Sequence, residues 1–110
     1  MWRFKINHVD APAPLVFRIS GIAYRNRKST RYFLTINPFF TALSVEPTWV
    51  GRKLIAHYIR LLGEPTLKYH DKHGYYEDYT VEWHLSSNAG AIVRRIQRHL
   101  ALGFTPEELP

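Results

Sequence analysis

The chain has 110 residues, 45% hydrophobic, 15% aromatic and 22% charged, with a formal net charge of +6 and no cysteine. That length carries one core, so a single α+β domain over residues 1–110 is expected, and the missing cysteine excludes disulfide scaffolds, thiolate zinc sites and thiol nucleophiles. The alternating start Met1-Trp2-Arg3-Phe4-Lys5-Ile6 lacks the apolar block of a signal peptide, and no run nears the roughly 18 apolar residues of a membrane span; a soluble cytoplasmic protein without a membrane partner is expected.

Residues 2–8 predict a strand with Trp2, Phe4 and Ile6 on one face and Arg3, Lys5 and Asn7 on the other. Asp10-Ala11-Pro12-Ala13-Pro14 is a stiff connector, since proline fixes φ and removes ladder donors. Leu15 to Arg25 predicts a second strand, in which Gly21 marks a bulge or the close approach of another backbone. Arg31 to Asn37 predicts a third, with Tyr32, Leu34 and Ile36 on one face; residues 26–30 join the two as the loop of a basic hairpin, and Pro38-Phe39-Phe40 ends it.

A helix is expected from about Thr48 to Leu62, with Pro47 in its first turn and Gly63 and Pro65 as the stop. Its apolar stripe is Val50, Leu54, Ile55, Tyr58, Leu61 and Leu62; Trp49, Arg52, Lys53 and Arg60 lie opposite. A second hairpin follows. Tyr75, Tyr79, Val81, Trp83 and Leu85 alternate along one strand, and Leu67 and Tyr69 are assigned to the same face of its partner. A three-residue loop, Lys72-His73-Gly74 with a left-handed Gly74, sets Lys68 opposite Asp78 and Leu67 opposite Tyr79. A second amphipathic helix is expected from about Ala89 to Leu102, followed by a short final turn over residues 105–108.

The order is βββαββα. Runs of strands with helices between and after them argue α+β: a mainly antiparallel five-stranded sheet with both helices packed on one face.

The charge is uneven along the chain. Arg3, Lys5, Arg18, Arg25, Arg27, Lys28 and Arg31 face Asp10 alone within the first 45 residues, while the rest balances eight basic groups against eight acids. A basic hairpin attracts phosphates and its tip can track a nucleic-acid backbone. Arg18, Arg25, Arg27, Lys28 and Arg31 are the expected phosphate contacts, and Tyr24 and Tyr32 flank the tip as rings for an unpaired base. Arg94, Arg95 and Arg98, with Arg52, Lys53 and Arg60, are solvated helix faces or extensions of the same field.

His70, Asp78, Glu82 and His84 have equal parity on the second hairpin and are assigned to one face, with His70 and His84 too far apart to share an ion. Glu82 and His84 remain as an acid–base pair or as an ordinary polar strand face. Phosphate-cradling glycine loops, dinucleotide fingerprints, the helical zinc-protease spacing and nucleophile elbows are absent from the sequence, and neither metal nor cofactor is expected.

The expectation is a small non-enzymatic protein that binds the DNA or RNA backbone. The first alternative is a compact, toxin-like, metal-independent ribonuclease using His57, Glu82 or His84 beside arginines. The second is an interaction module forming a homodimer through exposed Phe39 and Phe40; the preferred reading of those rings is a buried plug at the end of the core.

Overall fold

The computed structural model describes residues 2–13, 16–37, 39–84 and Arg94. Strands β1 (Trp2–Ala13), β2 (Val16–Arg25), β3 (Lys28–Ile36) and β4 (Phe40–Val45) precede helix α1 (Trp49–Leu62), and β5 (Leu67–His73) and β6 (Tyr76–His84) follow it. The six strands form one sheet in the order β1-β2-β3-β4-β6-β5, with every neighbouring pair antiparallel. This corrects the five-stranded expectation: among the described residues there are six strands, with one helix, α1, against the sheet. The expected second helix over residues 89–102 lies outside the described residues, apart from Arg94.

The extra strand is β4. Asn37 makes it possible, because its Oδ1 accepts from the backbone N–H groups of Phe39 and Phe40 at 2.8 and 2.9 Å, turning the chain back on β3. Thr41, Leu43 and Val45 then alternate into the core. Phe39 is 68% exposed, so it is no core plug; Phe40 is half-buried with its ring beside that of His84.

Gly21 is where the backbones of β1 and β2 meet. A Cβ there would collide with the Lys5 carbonyl oxygen, and the register slips next to it, between Ile6 and His8 on β1. The close approach read from the sequence is therefore real, while the extra residue sits on β1.

The core lies between one sheet face and α1. Ile19, Leu34, Ile36, Leu43, Val81 and Trp83 meet Leu54 and Tyr58 there. Thr48 caps the helix by accepting from the Gly51 N–H at 3.1 Å, and Gly63 (φ 90°) ends it by donating its N–H to the Ile59 carbonyl at 2.8 Å. Trp83 Nε1 donates to the Gly63 carbonyl at 2.7 Å, tying that helix end to β6. Because β4 and β5 both pair antiparallel with β6, they run parallel to each other, and α1 crosses over the sheet between them. No helix among the described residues is long and apolar enough to cross a membrane.

The second hairpin is shifted by three residues from the expected register. Leu67 pairs with Glu82, Lys68 with Val81 and His70 with Tyr79, around a two-residue turn of Gly74 (φ 59°) and Tyr75. The odd shift changes which faces coincide. His70 shares the α1 face with Tyr79 and Val81, while Asp78, Glu82 and His84 point to the opposite, open face. Tyr75 is fully exposed at the turn.

Candidate functional site

The first hairpin is tighter than its sequence implies. Arg25 pairs directly with Lys28, and Asn26 and Arg27 alone form the turn, with Asn26 at φ 58°. Asparagine tolerates that left-handed backbone, so the turn closes in two residues instead of five.

Parity then decides where the cations go. Arg25 and Lys28 share a sheet face with Ala23 and Thr30, the face that α1 covers. Their side chains meet aromatic rings brought from elsewhere. The Arg25 guanidinium lies 5.6 Å from the Trp2 ring centre, and the Lys28 ammonium lies 5.0 Å from that of Trp49. Lys53, one helical turn after Trp49, reaches the same indole at 5.4 Å. Trp2 stands against His57, with ring centres 6.2 Å apart, and His57 Nδ1 is 3.5 Å from an Arg60 nitrogen.

The hairpin tip, the start of β1 and one flank of α1 thus build a single patch. It holds Arg25, Arg27, Lys28, Lys53 and Arg60 around Trp2, Trp49 and His57. None of those five cations forms an ion pair among the described residues. The helix contributes no acid in its first turn, so its positive end is also left unbalanced. Partial burial, then the nearby charges of Arg60 and Arg25, hold the His57 imidazole below the ordinary value of 6.5.

Of the seven residues expected from sequence, three meet at the tip: Arg25, Arg27 and Lys28. Tyr24 is half-buried on the open face, across from Arg3 and Ser29. Arg18 is on that same face at the far end of β2, about 23 Å from Arg25 along the strand at ~3.3 Å per residue. Arg31 is also on the open face, held by Glu46 through both its Nε (2.9 Å) and its backbone N–H (3.0 Å). Tyr32 is 3% exposed and packs edge-on against Phe4, so it offers no face to a base. From sequence, Lys53 and Arg60 are solvated or extend the positive field, while Trp49 on the same helix side and Trp2 beside Phe4 and Ile6 carry no expected role. The four-residue spacing of Trp49 and Lys53 was the signal available for part of this patch.

The opposite wing is neutralised internally. His70 pairs with Glu77 at 3.1 Å, and Lys72 with Glu77 and Lys68 with Glu64 at 4.0 Å each. On its open face Tyr69 donates to Glu82 at 2.6 Å, and His84 Nε2 lies 2.7 Å from the other carboxylate oxygen. The Tyr69 phenol is pushed up to about 12, chiefly by that hydrogen bond, and the same bond followed by that from His84 holds the Glu82 carboxyl below its ordinary value. The Glu82–His84 pair is therefore formed, without His70. No group of three or more His, Asp or Glu able to hold a metal ion occurs among the described residues.

A cleft of about 470 Å³ separates α1 from β5 and β6, lined by Ile55, Ile59, Tyr79 and Val81 with Arg52, Lys68 and His70 among its polar groups; no carboxylate among the described residues lines it. Its chemistry is that of a hydrophobic recess more than of an acid–base centre. Comparisons with protein families, curated proteins and solved structures found no match to this chain.

Proposed function

We propose that this protein binds nucleic acid through the patch at the tip of the β2–β3 hairpin. One observation supports the reading above the others: cations from the hairpin and from α1 converge on exposed and half-buried rings, and no carboxylate among the described residues is paired with them. Gathering like charges opposes folding, and exposed cation–ring contacts return only about 0.5–1 kcal/mol each. A polyanion removes that repulsion and releases its own counterions on binding.

Backbone contacts dominate in this reading, so affinity depends weakly on sequence and steeply on salt. The test is an anisotropy titration of a labelled oligonucleotide over a range of salt concentrations. The triple variant Arg25→Ala/Arg27→Ala/Lys28→Ala should bind more weakly and reduce the slope of log affinity against log salt by roughly 2–3, since each lost phosphate contact removes about 0.7–0.9. Arg18→Ala should change it far less. An unchanged slope in the triple variant, or no wild-type binding at low salt, overturns the assignment.

His57 supports a second reading, metal-independent RNA cleavage. An imidazole held neutral between Arg25 and Arg60 combines a base with cations that can stabilise a pentavalent phosphorus. RNA cleavage in EDTA that His57→Ala abolishes and His84→Ala leaves intact is its expected signature. Intact RNA after prolonged incubation at high protein concentration removes it.

A further inference from the structure

We infer that the ligand of this patch is single-stranded, with an unpaired base stacked on Trp49; this rests on the nucleic-acid reading above and names its substrate class. Trp49 is the first residue of α1 and is 48% exposed, although an indole is costly to leave in water. Its ring is touched by two ammonium groups from separate elements, Lys28 on β3 and Lys53 on α1. Those long side chains are flexible and strongly hydrated. An incoming base can displace an ammonium from the ring, and the freed lysine then meets the phosphate on either side of that base. The exchange favours the ligand, because stacking of a base outweighs an exposed cation–ring contact.

The rest of the patch continues the same pattern. Trp2 pairs across the sheet with Arg25, and Arg25 with Lys28, so Trp2, Arg25, Lys28 and Trp49 follow one another laterally across the tip. A strand crossing the tip meets ring, cation, cation, ring. A dinucleotide step of an unpaired strand fits that order, its one phosphate meeting both cations and the base on either side meeting a ring. In a duplex the base faces are covered by their neighbours, and the rings would gain nothing.

The experiment compares a single-stranded oligonucleotide with a duplex carrying the same number of phosphates, at one salt concentration. Wild type, Trp49→Ala, Trp49→Phe and Lys28→Ala/Lys53→Ala are tested, each checked for folding by circular dichroism. Trp49→Ala should weaken single-strand binding about tenfold or more, leave duplex binding unchanged and keep the salt slope, while Trp49→Phe retains most of the affinity. The double lysine variant should reduce the slope for both ligands. Single strands should quench the exposed indole of Trp49 while buried Trp83 persists as an internal reference.

Equal affinity for both ligands, a duplex preference, or a Trp49→Ala variant that binds single strands like wild type overturns this inference. If the triple Arg25/Arg27/Lys28 variant still flattens the salt slope in that case, the nucleic-acid reading stands without it. If wild type binds neither ligand, both fail.

Discussion

The hairpin turning at Asn26-Arg27 and the one turning at Gly74-Tyr75 are built alike and end differently. Each closes in two residues with a positive φ at the first, 58° and 59°. Both turns project from the same end of the sheet, since β3 and β6 run in the same direction. Yet Lys68, His70 and Lys72 find Glu64 and Glu77, whereas Arg25 and Lys28 meet tryptophan rings and, among the described residues, no acid. The backbone geometry cannot explain that contrast. It follows from the supply of acids: Asp10 is the sole acid in the first 45 residues, and it pairs across strands with Arg18 at the far end of β2. One hairpin satisfies its charges within the molecule, and the tip of the other is paired with no acid among the described residues.

The contrast can be broken most severely at Gly21. Gly21→Ala drives a methyl into the Lys5 carbonyl, so β1 must shift and Trp2 moves away from Arg25. A loss of about 3 kcal/mol in denaturant unfolding is expected, with weakened oligonucleotide binding in the population that remains folded. Gly74→Ala meets open space and should cost only about 1–2 kcal/mol, from its left-handed backbone, leaving binding intact.

Charge reversal comes next. Arg25→Glu/Lys28→Glu gives the tip the acids that the other hairpin has. Affinity should fall about a hundredfold at low salt while the melting temperature stays within a few degrees. A wild-type isotherm from a well-folded double variant would show that the tip is merely solvated.

His57 sharpens the comparison through pH. Its folded value lies below 6.5, so the imidazole is neutral at pH 7 and gains a proton only in more acidic solution. The unfolded chain takes that proton first, so stability declines as pH falls from about 6.5 toward the folded value. A bound polyanion favours imidazolium and opposes the field of Arg60 and Arg25. Binding should therefore take up a proton and tighten a few-fold over the same interval. His57→Gln should flatten both profiles, the first read by denaturation at several pH values and the second by calorimetry in buffers of different ionisation enthalpy.

Two smaller changes test the paired groups. Glu46→Gln keeps an acceptor for the Arg31 backbone N–H but releases its side-chain charge. Binding should tighten no more than about threefold, and stability should drop by at most about 1 kcal/mol, as for an exposed pair. Glu82→Gln should leave oligonucleotide binding alone and lower the Tyr69 phenol from about 12 toward its ordinary 10.0, followed by ultraviolet absorbance against pH.

Much of the fold was legible where local chemistry dominates. The alternation of Trp2, Phe4 and Ile6, the helix from about Thr48 to Leu62, the Gly63 stop and the crowding at Gly21 all correspond to structure. Strand β4 was missed because Pro38-Phe39-Phe40 looked like an end, and because Thr41, Ala42 and Ser44 weaken an apolar alternation carried by Leu43 and Val45. The expected β5–β6 register fails because it puts Leu67 and Tyr69 on the face of Tyr79 and Val81, with a Lys68–Asp78 ion pair as support, whereas the Leu67 and Tyr69 side chains are exposed on the open face. Exposed ion pairs contribute little, whereas a two-residue turn sets the pairing of every residue behind it.

The unequal supply of charge, the basic hairpin and the amphipathic helix are all written in the order of the amino acids. Each depends on residues close together in the chain, where composition and periodicity act directly. Which cations meet in the patch depends on the assembled fold. Strand parity sent Arg25 and Lys28 toward α1, and sent Arg18 and Arg31 to the other face. Helix packing then brought Trp49 and Lys53 to Lys28, and strand pairing brought Trp2 to Arg25. Those contacts join segments more than 20 residues apart, and burial of the shared core, not any local preference, holds them together.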